Sequence, residues 1–526
     1  MERVKRLFEH AKQCRTPFET VIRECYRYTL PEREPFALDK HSVPDREPNY
    51  DTTAREAVKS LITAVMTLLI PASKRWAQIQ FRTTEYRNRY GSGYANALND
   101  ANERLQRHLL ESNFYLAVSE AMGDAVIAGV GCLAVIDEDD KSLSYMAIPS
   151  DQMCFTESAD GSVDAVFREH QMTTRQIIDR WPQVIGQEEY DEDQEQAKHS
   201  VLEAVIPEEG RFRYIVVNCK NWDTPIVDEE VRFNPFVVWR FEKQHSPWGN
   251  SPVADALPSI RSVNKMVEDT LKNADFMSSG LWWMNDQNLN VDMLVQQFVP
   301  GGTIYSQNKP EAIQFPGELK ITLEMIQQTR NDIRTMLLMQ AQRDPNKTPP
   351  TAEQIITDRE QFFQRVGEPA QRLQYEMLDP ITKQIVGRLS MRDELYSAQT
   401  KQSLAQISNS VEEVFTVEIN AAIVRGMKAA EAMNDIRSVQ MAYTTVGDRL
   451  WTILNTEKLT RKLLNDLGID PGLIRTEDEV KAITQQQQQQ AQLAQLQQTI
   501  ASPAGKDLLN VVGNQVANQQ SQNLSG

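Results

Sequence analysis

Residues 252–275 read PVADALPSIRSVNKMVEDTLKNAD. Val253, Ala256, Leu257, Ile260, Val263, Val267, Leu271 and Ala274 fall three and four apart, so one narrow apolar stripe runs along a helix of roughly six turns. Pro258 either kinks this helix or marks its first turn. The other faces carry Asp255, Arg261, Lys265, Glu268, Asp269, Lys272 and Asp275. A thin apolar seam among mixed charges predicts side-by-side packing with other helices, in the same chain or in neighbouring copies. A second helix follows, with Leu319, Leu323, Ile326, Ile333 and Leu337 on one side and Glu324, Gln328, Asp332 and Thr335 among its polar positions. At about 1.5 Å per residue each helix would span roughly 35–40 Å. Between them lie Trp282 and Trp283, the turn Pro300-Gly301-Gly302 and a strand-like Thr303-Ile304-Tyr305. An ordinary helical hairpin with a decorated tip accounts for this composition equally well.

A chain of 526 residues can bury more than one core, so about two to four structural units are expected. Acidic side chains outnumber basic ones by 73 to 56, which leaves a net charge of −17 and excludes a broad basic surface that would grip nucleic acid. The five cysteines, Cys14, Cys25, Cys132, Cys154 and Cys219, are odd in number and include no Cys-x-x-Cys pair. That speaks against a zinc module and a secreted disulfide framework, and for assembly in a reducing cytoplasm. The most apolar segment, Leu61 to Ile70 before Pro71, is far short of the roughly 20 residues that span a bilayer, and the amino terminus lacks an apolar signal core. A soluble, intracellularly made protein without a membrane partner is the expectation.

The first 130 residues predict helices, with capping boxes read at Thr16-Pro17-Phe18-Glu19 and Thr53-Ala54-Arg55-Glu56 and helical stretches over 54–70, 94–112 and 116–128. Gly129-Val130-Gly131-Cys132-Leu133-Ala134 has the letters of a dinucleotide loop, but a helix runs into it and a strand-like run leaves it, so Gly129 reads as a helix C-cap. From Leu143 to Phe241 the period shifts towards strands, with a hairpin over Ala159-Asp160-Gly161-Ser162, a short helix around Thr174 to Trp181 and an acidic linker at 188–193. Further helices run from Ala352 to about Leu395, where Asp379-Pro380 must kink or break them, and from about 420 to Leu467 after a brief strand at Phe415, Val417 and Ile419. The end beyond Gln485 is glutamine-rich.

No phosphate loop, nucleophile elbow or His-Glu-x-x-His appears, and the six histidines are dispersed singly. No catalytic residue, metal site or cofactor is therefore assigned, and the reading moves from enzyme towards assembly component.

At this point the sequence resembles the portal, or head-to-tail connector, proteins of short-tailed bacteriophages. Collinear landmarks over roughly 15–480 carry the resemblance: Tyr50-Asp51-Thr52, Leu69-Ile70-Pro71 and Trp76, Glu111-Ser112-Asn113-Phe114-Tyr115, Ala128-Gly129, Trp248-Gly249-Asn250-Ser251-Pro252, Thr351-Ala352-Glu353, Ala422-Ile423-Val424-Arg425-Gly426, and Leu467-Gly468-Ile469-Asp470. The segment 280–317 and the end after Thr484 depart from the family pattern, and Trp248 replaces a different aromatic.

The resemblance implies an α+β, predominantly helical portal fold with wing, stem, clip and crown, assembling as a ring of about twelve subunits around a central channel. It implies a wing over 1–251, stem helices over 252–279 and 319–342, a clip over 280–318 and a tunnel loop over 343–351. A kinked wing helix over 352–399, a helical crown over 400–484 and a glutamine-rich tail over 485–526 complete the division. Implied partners are double-stranded DNA passing without sequence readout, the terminase, a tail adaptor, and the major capsid and scaffolding or internal core proteins. The implied place is the virion's capsid vertex. Val253, Leu257, Ile260, Val263, Val267 and Leu271 become the inter-subunit seam of the stem, Trp282, Trp283 and Tyr305 the docking surface of the clip, and Arg343 and Lys347 the DNA-touching residues of the tunnel loop. A channel that lets DNA slide must not hold it, because some 6–10 phosphate contacts create a large salt-dependent affinity. An intracellular enzyme with an unrecognised motif is the alternative. A coiled-coil scaffold is disfavoured by the interrupted stripes.

Overall fold

In the computed structural model the first helix, α1 (Glu2–Thr29), runs straight through the expected capping box, with Pro17 inside it on the solvent side. Thr16 donates to the Lys12 carbonyl at 2.9 Å, and Glu19 accepts from Arg15 Nε at 3.0 Å, so neither residue caps a helix start. The physical reason is burial on both sides of the proline. Val4, Phe8 and Ala11 pack in one core cluster and Ile22, Cys25 and Tyr26 in another. At about 1.5–3 kcal/mol for each large apolar side chain, this exceeds the ~3 kcal/mol that an internal proline costs.

The structure describes residues 1–33, 49–137, 142–185, 190, 194–279, 282–283, 311–312, 319–337, 367, 369–396, 415–419, 422–450 and 454–466. The chain divides into two compact units, Met1–Val424 and Arg425–Gly526. In the first, α2 (Thr53–Leu69) starts from Asp51, whose Oδ1 accepts from the Thr53 amide at 3.0 Å; the expected Thr53–Glu56 box does not form. Strand β1 (Ala77–Phe81) and helix α3 (Thr84–Glu111) follow, the helix beginning ten residues earlier than its apolar period suggests. Helix α4 (Phe114–Ala128) is buried nearly all round and ends at Gly129 in the left-handed region, φ 81°, as the sequence predicts. A Cβ on Gly129 would stand 2.3 Å from the Gly249 carbonyl oxygen, so glycine is required there by contact as well as by conformation.

Strand β2 (Val130–Ile136) lies at the centre of a three-stranded sheet between β3 (Ser144–Ala147) and β9 (Phe236–Arg240). A second, five-stranded antiparallel sheet follows chain order, with β4 (Met153–Glu157), β5 (Val163–Thr173), β6 (Lys198–Glu208), β7 (Arg211–Asn218) and β8 (Val227–Val231). The expected hairpin is its first turn: Gly161 has φ 84°, and Asp160 Oδ1 accepts the Ser162 amide at 3.0 Å. Helix α5 (Thr174–Arg180) starts with a full capping box between Thr173 and Gln176. The acidic linker falls largely outside the described residues. Buried in this sheet, Glu203 takes Arg168 at 3.0 Å, Arg180 at 3.1 Å and the Tyr214 hydroxyl at 2.6 Å. Burial works to raise its pKa, but Arg180 and Arg168 prevail and hold the carboxyl below its ordinary range.

One short ladder, β10 (Glu242–Lys243) with β11 (Gly249–Asn250), leads into α6 (Pro252–Ser279). Ser251 Oγ accepts from the Val253 and Ala254 amides at 3.1 and 3.2 Å and donates to the Val126 carbonyl, which caps α6 and ties it to α4. The pair β12 (Trp282–Trp283) and β13 (Glu311–Ala312) precedes α7 (Leu319–Met336). Past Ala370 the chain reaches a π-helical turn, Gln374–Leu378, and continues directly as α8 (Asp379–Met391). The break expected at Pro380 is therefore a widened turn, which makes room for a ring that would clash with the preceding carbonyls. Residues 352–366 of the expected wing helix lie outside the described residues. Strand β14 (Phe415–Ile419) forms as read and pairs with β1, Ala77 opposite Ile419, so this strand belongs to the first unit rather than to a separate segment beginning at 400.

The second unit begins within α9 (Ala422–Val446), which a 2.7 Å ion pair between Asp435 and Lys462 joins to α10 (Thr456–Asp466). Both helices and sheets are present throughout the larger unit, so the α+β class is correct.

Candidate functional site

The hairpin of α6 and α7 starts in the core and ends outside it. Val253, Leu257, Ile260 and Val263 are buried within the subunit, in the same cluster as Leu61, Val65 and Met122. Val267 is half-buried, and Leu271 is 49% exposed. On α7, Leu323 and Met325 near its start and Met336 at its end are 53%, 54% and 49% exposed, whereas Ile326, Ile333 and Leu337 are buried. The antiparallel pairing of Trp282–Trp283 with Glu311–Ala312 brings the end of α6 and the start of α7 together. The stripe expected to face neighbouring subunits is thus divided. Its first four members fill the subunit's own core because α1, α2 and α4 cover that end of α6, and only Leu271, with part of Val267, remains outward.

One polar node fastens both helices to the subunit's core. Asp51 Oδ2 accepts from Arg330 Nε and Nη2, each at 2.7 Å, while its Oδ1 caps α2. Asn264 on α6 accepts from the amides of Tyr50 and Asp51 at 2.8 and 3.3 Å. Asp51 is nearly enclosed, with its side chain 3% exposed, so these donors take the place of the water its carboxylate has lost. Sequence reading missed the node because three separate stretches supply its members. The only local signal was Tyr50-Asp51-Thr52, noted as a landmark without a role.

Both helices carry charge on their outward faces. On α6, Lys265 pairs with Glu268 and Asp269, Lys272 pairs with Glu268, and Arg261 pairs with Glu24 of α1. These exposed pairs offset one another, while Asp255 and Asp275 on the same helix are exposed and make no ion pair among the described residues. On α7, Leu323, Glu324, Gln327, Gln328, Asn331 and Asp332 line a shallow depression of about 480 Å³. No ion pair to Glu324 or Asp332 occurs among the described residues, so this face keeps uncompensated negative charge.

Trp282 and Trp283 form the ladder that closes the hairpin, Trp282 opposite Ala312 and Trp283 opposite Glu311. Tyr305, Arg343 and Lys347 lie outside the described residues, as does 338–342, the expected end of the second helix. Among the described residues no group of three or more His, Cys, Asp and Glu side chains is placed to hold a metal ion, and no helix is long and apolar enough to cross a membrane. The buried thiols are inert by environment: burial pushes Cys25 up to about 12 and raises Cys132 and Cys154 as well.

Comparison with protein-family models matches residues 1–474 to a family described as bacteriophage head to tail connecting protein. No curated protein matches the chain.

Proposed function

The chain belongs to the bacteriophage head-to-tail connecting proteins, a structural family of the virion, and from that premise we propose that it is the portal subunit. In this reading about twelve copies form a ring at one capsid vertex. DNA enters and leaves through the ring, a separate terminase hydrolyses ATP to drive packaging, and a tail adaptor later takes the terminase's place. The carrying observation is the match over residues 1–474, and the projecting α6–α7 hairpin supports it. That hairpin serves as the stem, the segment 280–318 as the clip that docks motor and adaptor through Trp282, Trp283 and Tyr305, and 343–351 as the tunnel loop. The capsid and scaffolding or core proteins meet the wing and the crown.

The charge of the stem fits this division. The balanced cluster of Lys265, Glu268, Asp269 and Lys272 on α6, with Leu271, suits contact with a neighbouring copy. The uncompensated Glu324 and Asp332 on α7 suit a wall along which a polyanion slides without being held. Negative-stain microscopy of the purified protein is expected to give rings with a central hole. A strictly monomeric species at high concentration would overturn the assignment.

Arg343 and Lys347 are the basic residues that would touch phosphates transiently. The double replacement Arg343→Ala and Lys347→Ala is expected to leave ring assembly intact while lowering the amount of DNA packaged or retained per particle. Unchanged packaging and retention would remove the loop from the mechanism.

A further inference from the structure

A cavity of about 260 Å³ lies in the first unit between the β1–β14 ladder, α8 and the loop that carries Phe233. Ile79, Phe233, Val386 and Val417 line it, so its interior is apolar. Its wall is set before any ligand arrives. A Cβ on Gly387 of α8 would stand 2.4 Å from the Phe233 ring, so the ring lies directly against the helix, and the Arg232 guanidinium covers it at 5.5 Å. A preformed wall limits the ordering cost of binding.

The charge of the cavity is unlike that of the chain around it. Arg82 and Lys383 both line it and both are exposed, which puts two cations at its mouth, and the exposed Thr416 adds a hydroxyl. Among the described residues no carboxylate lines the cavity, although acidic side chains outnumber basic ones by 73 to 56 in the whole sequence. Lys383 makes no ion pair among the described residues. A guanidinium has five donors, so Arg82 can serve a ligand beside a protein partner.

We propose that this cavity binds a small amphiphilic carboxylate, with its apolar body against Phe233 and Val417 and its carboxylate at Lys383 and Arg82. The chemistry selects against the alternatives. Phosphate or sulfate would leave the apolar interior unfilled, and a neutral apolar molecule would leave both cations unused. A carboxylate matches the planar fork of a guanidinium. A volume just under the roughly 300–1,000 Å³ of ordinary ligand sites suits one ring or a short chain rather than a nucleotide. The proposal goes beyond the portal reading and does not rest on it.

The test titrates the full chain with phenylacetate and with phenylacetamide, its neutral isostere, by saturation-transfer NMR at low ionic strength. Phenylacetate is expected to bind saturably and about tenfold tighter than the amide, with the advantage shrinking as salt is added. Lys383→Gln, at an exposed helix position, should cut the advantage to about threefold without changing the melting temperature. A larger groove of about 690 Å³ shares Lys383 and Phe233, so two further variants locate the site. Val417→Phe, which adds a ring to the wall of the smaller cavity, should abolish binding of both probes. Tyr375→Ala, in the larger groove alone, should change neither. Equal binding of the two probes, or no saturable binding, would overturn the proposal. So would an unchanged advantage in Lys383→Gln, unchanged binding in a folded Val417→Phe, or loss of binding in Tyr375→Ala.

Discussion

Glu376→Ala is expected to destabilise the first unit by about 3–5 kcal/mol, read as a fall in the denaturant midpoint at unchanged slope. The Glu376 carboxylate accepts from the Arg240 backbone amide, from Arg240 Nε at 3.2 Å and Nη2 at 2.7 Å, and from Arg372 Nη1. Arg240 ends the edge strand β9, with its side chain 1% exposed. Burial works against its charge, but Glu376 and then Glu157 more than offset this and raise its pKa. Removal of Glu376 would leave a buried guanidinium with only Glu157 and two carbonyls, and would leave a strand amide unmet. The same change frees the π-helical turn 374–378 from β9. Glu376→Gln keeps the shape and an acceptor, and its cost should be clearly smaller. Equal losses for Ala and Gln would mean that shape matters here and charge does not, and a loss below about 1 kcal/mol for Ala would show that Arg240 reaches water.

How far the sequence disclosed this molecule depends on whether each feature is local. Helix α6 was legible because its apolar positions repeat within one stretch, but its start was open between Pro252 and Pro258, and it is the Ser251 cap that sets it at Pro252 with Pro258 inside the helix. Gly129 was legible as a cap for the same reason. Strand β1 was not read, since its short alternation means little until Phe415–Ile419 lies beside it. Pro17 misled because a Thr-Pro-x-Glu motif marks a helix start only when nothing upstream is buried, and Phe8 and Ala11 are. The stripe on α6 was read correctly as apolar but not as to what covers it: periodicity tells which face is buried, whereas the partner, own core or neighbouring copy, depends on α1, α2 and α4 arriving from elsewhere. Tyr305, Arg343 and Lys347 acquired roles only through the family resemblance, and the roles remain proposals.

The node at Asp51 was the least legible feature and has the sharpest consequence for assembly. Asp51→Ala is expected to lower stability by about 2–3 kcal/mol: roughly 1 kcal/mol for the lost cap on α2 and the rest for the partly buried pair with Arg330. The cost stays below that of Glu376→Ala because the Arg330 side chain is 27% exposed and can turn to water. Asp51→Asn keeps an oxygen for the Thr53 amide and should lose only the charge pairing, as should Arg330→Ala. The double change Asp51→Ala with Arg330→Ala isolates the pair, and a coupling of about 1–2 kcal/mol is expected. Additivity within about 0.3 kcal/mol would reduce the ion pair to an incidental contact. Because Asp51 and Asn264 hold α7 and α6 to the same two backbone residues, loss of the node should also loosen the hairpin relative to the core from which it projects. In the portal reading, ring formation needs every hairpin at the same angle. The fraction of Asp51→Ala subunits in rings should therefore fall more than that of a control variant with equal stability loss in the five-stranded sheet, such as one at Ile215. Equal ring yields from the two variants would show that the node stabilises the subunit without setting the geometry of its assembly.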